Sequence, residues 1–191
     1  MLYIMAIFFG ILIGVLAKGK ISYMANISFN KAWLFITAFI LLIFTQLAGN
    51  YFELVNSYIF VFQGLVFCFL LAGFWFNRQY LGIWVIAAGC LMNALAILLN
   101  GGKMPVSLAV VEKANLMSRL SDVSVKHAIF QIDGSTRVPF LCDIIYLPNV
   151  LGLFNKIVSI GDIIVVLGLF FIILQVVLGK SQTNATTHVE A

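Results

Sequence analysis

The chain has 191 residues, of which 63% are hydrophobic and only 9% are charged. Soluble domains carry about 25% charged residues, so this composition excludes a soluble globular fold and makes lipid the solvent for most of the surface. The net charge of +4 comes from Lys and Arg residues scattered along the chain, without the basic run that nucleic-acid binding requires. We therefore expect an integral membrane protein with no nucleic-acid partner.

Five stretches without Asp, Glu, Lys or Arg predict five transmembrane helices, because each approaches or exceeds the roughly 20 residues needed to cross a bilayer. The stretches are residues 1–17, 32–52, 54–77, 79–102 and 163–179. The first stretch lacks a basic start and a small-residue cleavage site, so we expect no removed signal peptide. The predicted fold class is an all-α integral membrane protein.

We assign one membrane domain to residues 1–179 and a disordered polar tail to residues 180–191. A polar cap of residues 103–160 separates the last two spans. The predicted spans cover about residues 2–17, 32–50, 57–76, 80–99 and 161–179.

The fourth span carries a stripe of small and polar residues on one helical face. Its members, spaced at i, i+4, i+7 and i+11, are Gly89, Asn93, Ala96 and Asn100. An amide inside a helix bundle usually hydrogen-bonds a neighbouring helix. The stripe therefore predicts either such a structural contact or the wall of a ligand cavity, to which Gln46 or Gln63 would contribute.

The sequence NGGKMPV, at residues 100–106, follows this stripe directly. Its two glycines permit a sharp turn, and Pro105 suits the first turn of a new helix. As a structural element, the segment is a reversal that needs no ligand. As a site, the backbone N–H groups of Gly101 and Gly102, together with Lys103, would hold an anionic group.

The cap, residues 103–160, is too long for a structureless loop and should form a small α/β unit. Residues 105–120 place apolar side chains on one helical face, which predicts an interfacial helix. The Asp-Gly pair at 133–134 lies between two alternating apolar arms, which predicts a β-hairpin. Ser159, followed three residues later by Asp162, predicts a structural capping box for the last span.

Titratable residues of the cap supply the candidates for chemistry. His127 could act as a general base with Asp143 as its orienting partner, which makes both catalytic candidates. Arg137 is predicted to form an ion pair with Asp133 or Asp143. A His without ligand spacing does not favour a metal site, and no cofactor fingerprint is present, so we expect neither metal nor cofactor.

Orientation follows from the Lys and Arg residues of the short loops. Lys18, Lys20 and Lys31 follow the first span and Arg78 follows the third, whereas the loop after the second span has none. Cytoplasmic loops carry the excess of positive charge. This predicts an outside N-terminus, an external cap and a cytoplasmic C-terminus.

Several segments carry a resemblance to a known family, namely NGGKMPV at 100–106, His127, CDIIYLP at 142–148 and FNKIVSIGDIIVVLG at 154–168. They resemble an uncharacterised family of small bacterial multi-pass membrane proteins, a domain of unknown function. Its Asn-Gly-Gly-x-Met-Pro-Val turn matches residues 100–106, and its Ser-x-Gly-Asp start to the last span matches Ser159, Gly161 and Asp162. The resemblance implies a bacterial plasma membrane location and a shared architecture, without an activity or cofactor.

The leading functional hypothesis is a binding or accessory protein whose cap and polar stripe hold a small ligand, a lipid headgroup or a partner subunit. Polar residues gather at one end of the bundle without a recognisable catalytic set. The ligand-binding candidates are Asn93, Asn100, Gly101, Gly102, Lys103, Asp133 and Arg137. The alternatives are an enzyme acting on a lipid or exported peptide, with His127 as base, and a small transporter or channel component. Expected partners are the bilayer and either another membrane protein or a second copy of the chain.

Overall fold

A computed structural model describes residues 1–115, 129–148 and 156–180, and it is mainly helical. Two short 3₁₀ helices lie at Ile21–Asn26 and Pro139–Leu141. The α-helices are α1 (Leu2–Leu16), α2 (Trp33–Tyr51), α3 (Glu53–Ser57), α4 (Ile59–Phe76), α5 (Leu81–Leu99), α6 (Leu108–Lys113) and α7 (Ile160–Val177).

Apolar helices dominate the fold and are compatible with membrane insertion. Three helices of the described chain, α4, α5 and α7, are long and apolar enough to cross a bilayer. Two shorter apolar helices cover Leu2–Leu16 and Trp33–Gly49. Their large apolar side chains point outward, as Phe8 at 59% and Phe39 at 62% exposure show, and lipid can solvate such side chains.

The closest helix contact joins α5 and α7, which run antiparallel. An added Cβ at Gly89 would lie 2.6 Å from the carbonyl oxygen of Gly161, and one at Gly168 would lie 2.8 Å from the carbonyl oxygen of Gly82. Small residues let helix backbones approach closely in a membrane. The two glycine pairs, seven residues apart on each helix, therefore set the distance between α5 and α7.

The other helices pack around this pair. α1 runs parallel to α7, with Gly10 against Ile173 and Gly14 against Val177. α4 packs between α5 and α2. In consequence α1, α4 and α7 run in one direction, while α2 and α5 return in the other.

The bundle has two distinct ends. At the cap end lie α3 and the cap. At the opposite end, which we call the loop end, the backbone N–H of Lys20 donates to the carbonyl of Val177 at 2.8 Å, and that of Leu81 donates to Oε1 of Gln175 at 2.8 Å. These bonds tie the connections after α1 and α4 to the end of α7.

The cap contains two small sheets. Strand β1 (Met104–Val106) pairs in parallel with β2 (Ile129–Gln131), and β3 (Ile145–Leu147) pairs antiparallel with β4 (Lys156–Val158). Val106, Val111 and Ala114 form a buried cluster against side chains of β3 and β4. The cap is thus packed against its own core.

The predicted hairpin at residues 133–134 is wrong. Strand β2 pairs with β1 instead of with the residues that follow the Asp-Gly pair. Oδ1 of Asp133 accepts hydrogen bonds from the N–H and the hydroxyl of Ser135, at 2.8 and 2.6 Å, and the backbone of Arg137 bonds to Asn100. The backbone of Arg137, in the predicted second arm, is therefore hydrogen-bonded to Asn100 and not to β2.

The structure also differs from the predicted interfacial helix in the part of it that is described. Pro105 lies in β1, and α6 begins only at Leu108. The carbonyl of Pro105 accepts the N–H of Asp143 at 3.0 Å, and that of Val106 accepts the N–H of Ile132 at 3.1 Å, so β1 is held in extended form from both sides. The remainder of this prediction, residues 116–120, lies outside the described residues.

Candidate functional site

A polar junction joins α5 to the start of α7 at the cap end. Its members are Asn93, Ser159 and Asp162. The N–H of Asp162 donates to Oγ of Ser159 at 3.0 Å, and the N–H of Ser159 donates to Oδ2 of Asp162 at 3.2 Å, which completes the capping box. Nδ2 of Asn93 donates to Oδ1 of Asp162 at 2.8 Å, while Oγ of Ser159 donates to Oδ1 of Asn93 at 2.8 Å.

This arrangement gives Asn93 a structural role between two helices. A Cβ at Gly161 would overlap the amide of Asn93, so glycine is needed for the amide to reach the capping box. A hydrogen bond between apolar helices replaces the partners that lipid cannot supply. Of the two interpretations of the stripe, the structural contact is the one that this geometry favours at Asn93.

Asp143 is the most perturbed carboxyl of the cap. Its Oδ1 is buried and has no hydrogen-bond partner within the part of the chain that the structure describes. Burial, and secondarily the negative charge of Asp162, raises the pKa of Asp143 to about 7. The described residues contain no group of three or more acidic, His or Cys side chains that could hold a metal ion. The other catalytic candidate, His127, lies outside the described residues.

Asn100 fastens the cap to the end of α5. Its Nδ2 donates to the carbonyl of Arg137 at 2.9 Å, and its Oδ1 accepts the N–H of Arg137 at 2.9 Å. The same Nδ2 donates to the carbonyl of Ala96 at 2.7 Å. Asn100 and Arg137 therefore meet, but through the backbone of Arg137 rather than through its guanidinium.

The glycine turn after α5 uses the backbone groups that an anion would need. The N–H of Gly102 donates to the carbonyl of Ile97 at 2.8 Å, and that of Gly101 donates to the carbonyl of Leu98 at 3.4 Å. Gly102 has a φ of +88°, and a Cβ there would lie 2.7 Å from the backbone nitrogen of Phe60. The turn is thus a close contact with α4, and Gly102, Lys103 and Met104 of the turn line a cavity.

Asp133 and Arg137 do not form the predicted ion pair in the described structure. Asp133 instead accepts hydrogen bonds from Ser135 and Thr136. These bonds, those from Ser135 foremost, lower the pKa of Asp133 below its usual value. The contacts of Arg137 in the described chain are the backbone bonds to Asn100, and Oδ1 of Asp143 is buried without a partner there. Local hydrogen bonds within its own loop therefore satisfy the carboxylate of Asp133 without a partner from a distant segment.

A cavity of about 640 Å³ lies between α2, α4 and α5 at the cap end. Ligand pockets typically measure about 300–1,000 Å³. Its polar lining residues are Thr45, Gln46, Asn56, Gln63, Asn93 and Lys103. The structure thus brings Asn93 and Lys103 together with both glutamines. Asn56 was missed, because a polar residue in a short connection carries no periodic signal.

Two glutamine side chains line this cavity, Gln46 exposed and Gln63 half-buried. Gln46 on α2 and Gln63 on α4 both line it, and neither side chain has a hydrogen-bond partner among residues 1–115, 129–148 and 156–180. Unpaired polar groups at membrane depth are costly unless they face water or a ligand. These amides are therefore the strongest sign of a binding site in this bundle.

A family model described as a family of unknown function, DUF5317, matches residues 26–174. The chain belongs to the DUF5317 family. An uncharacterised protein of Thermotoga maritima is 31% identical over 126 residues, which cover 65% of this chain and 69% of that relative. No solved structure matches the chain. The polar junction and the polar lining of the cavity lie inside the region that the DUF5317 model covers.

Proposed function

We propose that this DUF5317 protein is a five-span plasma membrane protein that binds an amphiphilic ligand in the cavity between α2, α4 and α5. The amides of Gln46 and Gln63, which lie on neighbouring helices, line the cavity and bond to no described residue, are the observation that carries this proposal. A ligand with a hydrogen-bonding group between them would supply the partners that the protein itself does not.

The lining of the cavity indicates the class of ligand. Apolar side chains from all three helices form most of its wall, and among them Val66 is 3% exposed. Lys103 stands at the cap end, where it can pair with an acidic group. An apolar body with an acidic headgroup, as in a fatty acid or a single-chain lipid, fits both parts of this lining.

Filling the cavity should weaken binding of such a ligand. We expect Val66→Phe to lower the affinity of the purified protein for palmitate about tenfold or more, because the added ring occupies the space of the acyl chain. Native mass spectrometry with added palmitate measures the bound fraction. The neighbouring variant Leu65→Phe is the matched control, since Leu65 is 44% exposed and does not line the cavity.

The headgroup contact has its own readout. Lys103→Gln should weaken the binding of palmitate more than the binding of hexadecanol, because only the carboxylate of palmitate loses an ion pair. Equal retention of palmitate by the Val66→Phe and Leu65→Phe proteins would show that the cavity does not bind the acyl chain.

Charge asymmetry supports the proposed orientation. Five cationic residues lie at the loop end, with no carboxylate of the described chain beside them: Lys18, Lys20, Lys31, Arg78 and Lys180. Every described Asp and Glu lies at the cap end or in the cap. Under the positive-inside rule the loop end is cytoplasmic and the cap is external. The bacterial source of the Thermotoga relative agrees with a bacterial plasma membrane.

Labelling of introduced cysteines tests this orientation. In intact cells, a membrane-impermeant maleimide should label Gly134→Cys and should not label Lys180→Cys until the membrane is opened. Gly134 is exposed, with no atom near its added Cβ, so the substitution fits without rearrangement. The wild-type chain gives the background from its three natural cysteines. The reverse labelling pattern would place the cap in the cytoplasm.

An enzyme is the second candidate, and it depends on Asp143. A buried carboxyl whose pKa lies near 7 is suited to proton transfer at neutral pH. A lipid or an exported peptide would be the substrate, since the cap faces the outside in the proposed orientation. An accessory role, with a membrane protein or a second copy as partner, is compatible with ligand binding in the cavity.

A further inference from the structure

A groove separate from the cavity described above lies at the loop end, on the outer face of α4 and α5. It measures about 350 Å³. Trp75 and Trp84 line it and are 58% and 52% exposed, at the helix ends where tryptophan settles at a membrane interface. Its apolar lining includes Leu71, Ala87, Ala88 and Leu91.

Arg78 stands at the mouth of this groove. Its guanidinium lies 4.7 Å from the centroid of the Trp75 ring, and its carbonyl accepts the indole N–H of Trp84 at 3.2 Å. Within the described structure, its side-chain donors have no hydrogen-bond or ion-pair partner. The guanidinium is therefore held in place while its N–H donors have no partner in the described chain. A guanidinium can bind a phosphate group through two parallel hydrogen bonds.

The surroundings favour an anion at this position. The four other cations of the loop end add to the positive field, and no described carboxylate at that end competes for Arg78. Each Lys or Arg near a membrane surface contributes about 1 kcal/mol of attraction to anionic lipid. The groove thus combines an apolar channel at the depth of acyl chains with a positive charge at the depth of headgroups.

We propose that this groove binds an anionic phospholipid of the surrounding bilayer. The phosphodiester pairs with the guanidinium of Arg78, and one acyl chain lies between Trp75 and Trp84 over the small side chains of Ala87 and Ala88. The site differs from the cavity between α2, α4 and α5 in its position and in its ligand, so each can fail without the other.

Quenching of tryptophan fluorescence by brominated lipid tests the proposal. Two of the three tryptophans of the chain line the groove, so the Trp33→Phe variant reports on the groove alone. The full chain is reconstituted in phosphatidylcholine vesicles with brominated phosphatidylglycerol or brominated phosphatidylcholine at equal mole fraction. We expect stronger quenching by phosphatidylglycerol, and we expect Arg78→Gln to lower this preference about fivefold.

The control variant is Lys180→Gln, which removes the same charge from the same end but outside the groove. It should leave most of the preference intact. The ratio of the two lipids is compared within each variant, so any change in the emission of Trp75 cancels. Equal quenching of the Trp33→Phe protein by the two lipids would overturn the proposal, whether or not Arg78→Gln folds. An equal loss in Lys180→Gln would show a general field at this end instead of a site.

Discussion

Gly89→Ala is expected to destabilise the protein by about 1–3 kcal/mol, the usual cost of overpacking. The added Cβ would lie 2.6 Å from the carbonyl oxygen of Gly161 and 2.9 Å from the backbone nitrogen of Val165. Backbone atoms cannot rotate away as a side chain can, so α5 and α7 must separate. Their separation would also stretch the hydrogen bonds of Asn93 to the capping box.

Thermal unfolding in detergent, followed by circular dichroism, measures this effect. Gly64→Ala in α4 is the matched control, because no atom from another helix lies within 4 Å of its added Cβ. Alanine is the better helix former by up to about 1 kcal/mol, so the control should melt at the same temperature as the wild type or above it. If both variants melt alike, the two helices do not approach as closely as this packing requires.

Asp143→Asn is expected to remove a pH dependence of stability. The pKa of Asp143 is raised from 3.8 to about 7 in the folded protein by burial and by Asp162. Between these values the folded state holds a proton that the unfolded state has released, so stability falls as the pH rises through this window. The size of the shift corresponds to a loss of at most about 4 kcal/mol.

The measurement compares melting temperatures at about pH 5 and about pH 8. The wild type should melt at a lower temperature at the higher pH, whereas Asp143→Asn should melt at nearly the same temperature at both. The control is Asp133→Asn, since the pKa of Asp133 is lowered by its loop hydrogen bonds and its carboxyl stays charged throughout this range. A wild-type difference that survives in Asp143→Asn must come from another group.

The apolar helices could be located from the sequence because the signal is local. The charge-free stretches contain α1, α2, α4, α5 and most of α7, and the prediction of a mainly helical protein with membrane-compatible helices is confirmed. The capping box of α7 also follows from spacing, since Ser159 and Asp162 need only one helical turn to meet. Crossing by all five helices stays a prediction.

The architecture of the cap depended on distant partners. Residues 129–131 carry the alternation of a strand, but alternation does not say which strand they join. They pair with residues 104–106 across an intervening α6, while the Asp-Gly pair that suggested a hairpin is closed by Ser135 and Thr136. This pairing joins two segments that are distant in sequence, and the local pattern of either segment does not contain its partner.

The candidate sites show the same division. Helical spacing was enough to name Asn93 as a polar residue that must face protein or water, and Gln46 or Gln63 as its possible partners in a ligand cavity. Only the packing of helices far apart in sequence decided that Asn93 is satisfied by α7, while both glutamines are left facing a cavity. Hydrophobicity is a property of each segment, whereas the partner of a buried amide depends on how the glycine faces of α5 and α7 let the helices approach.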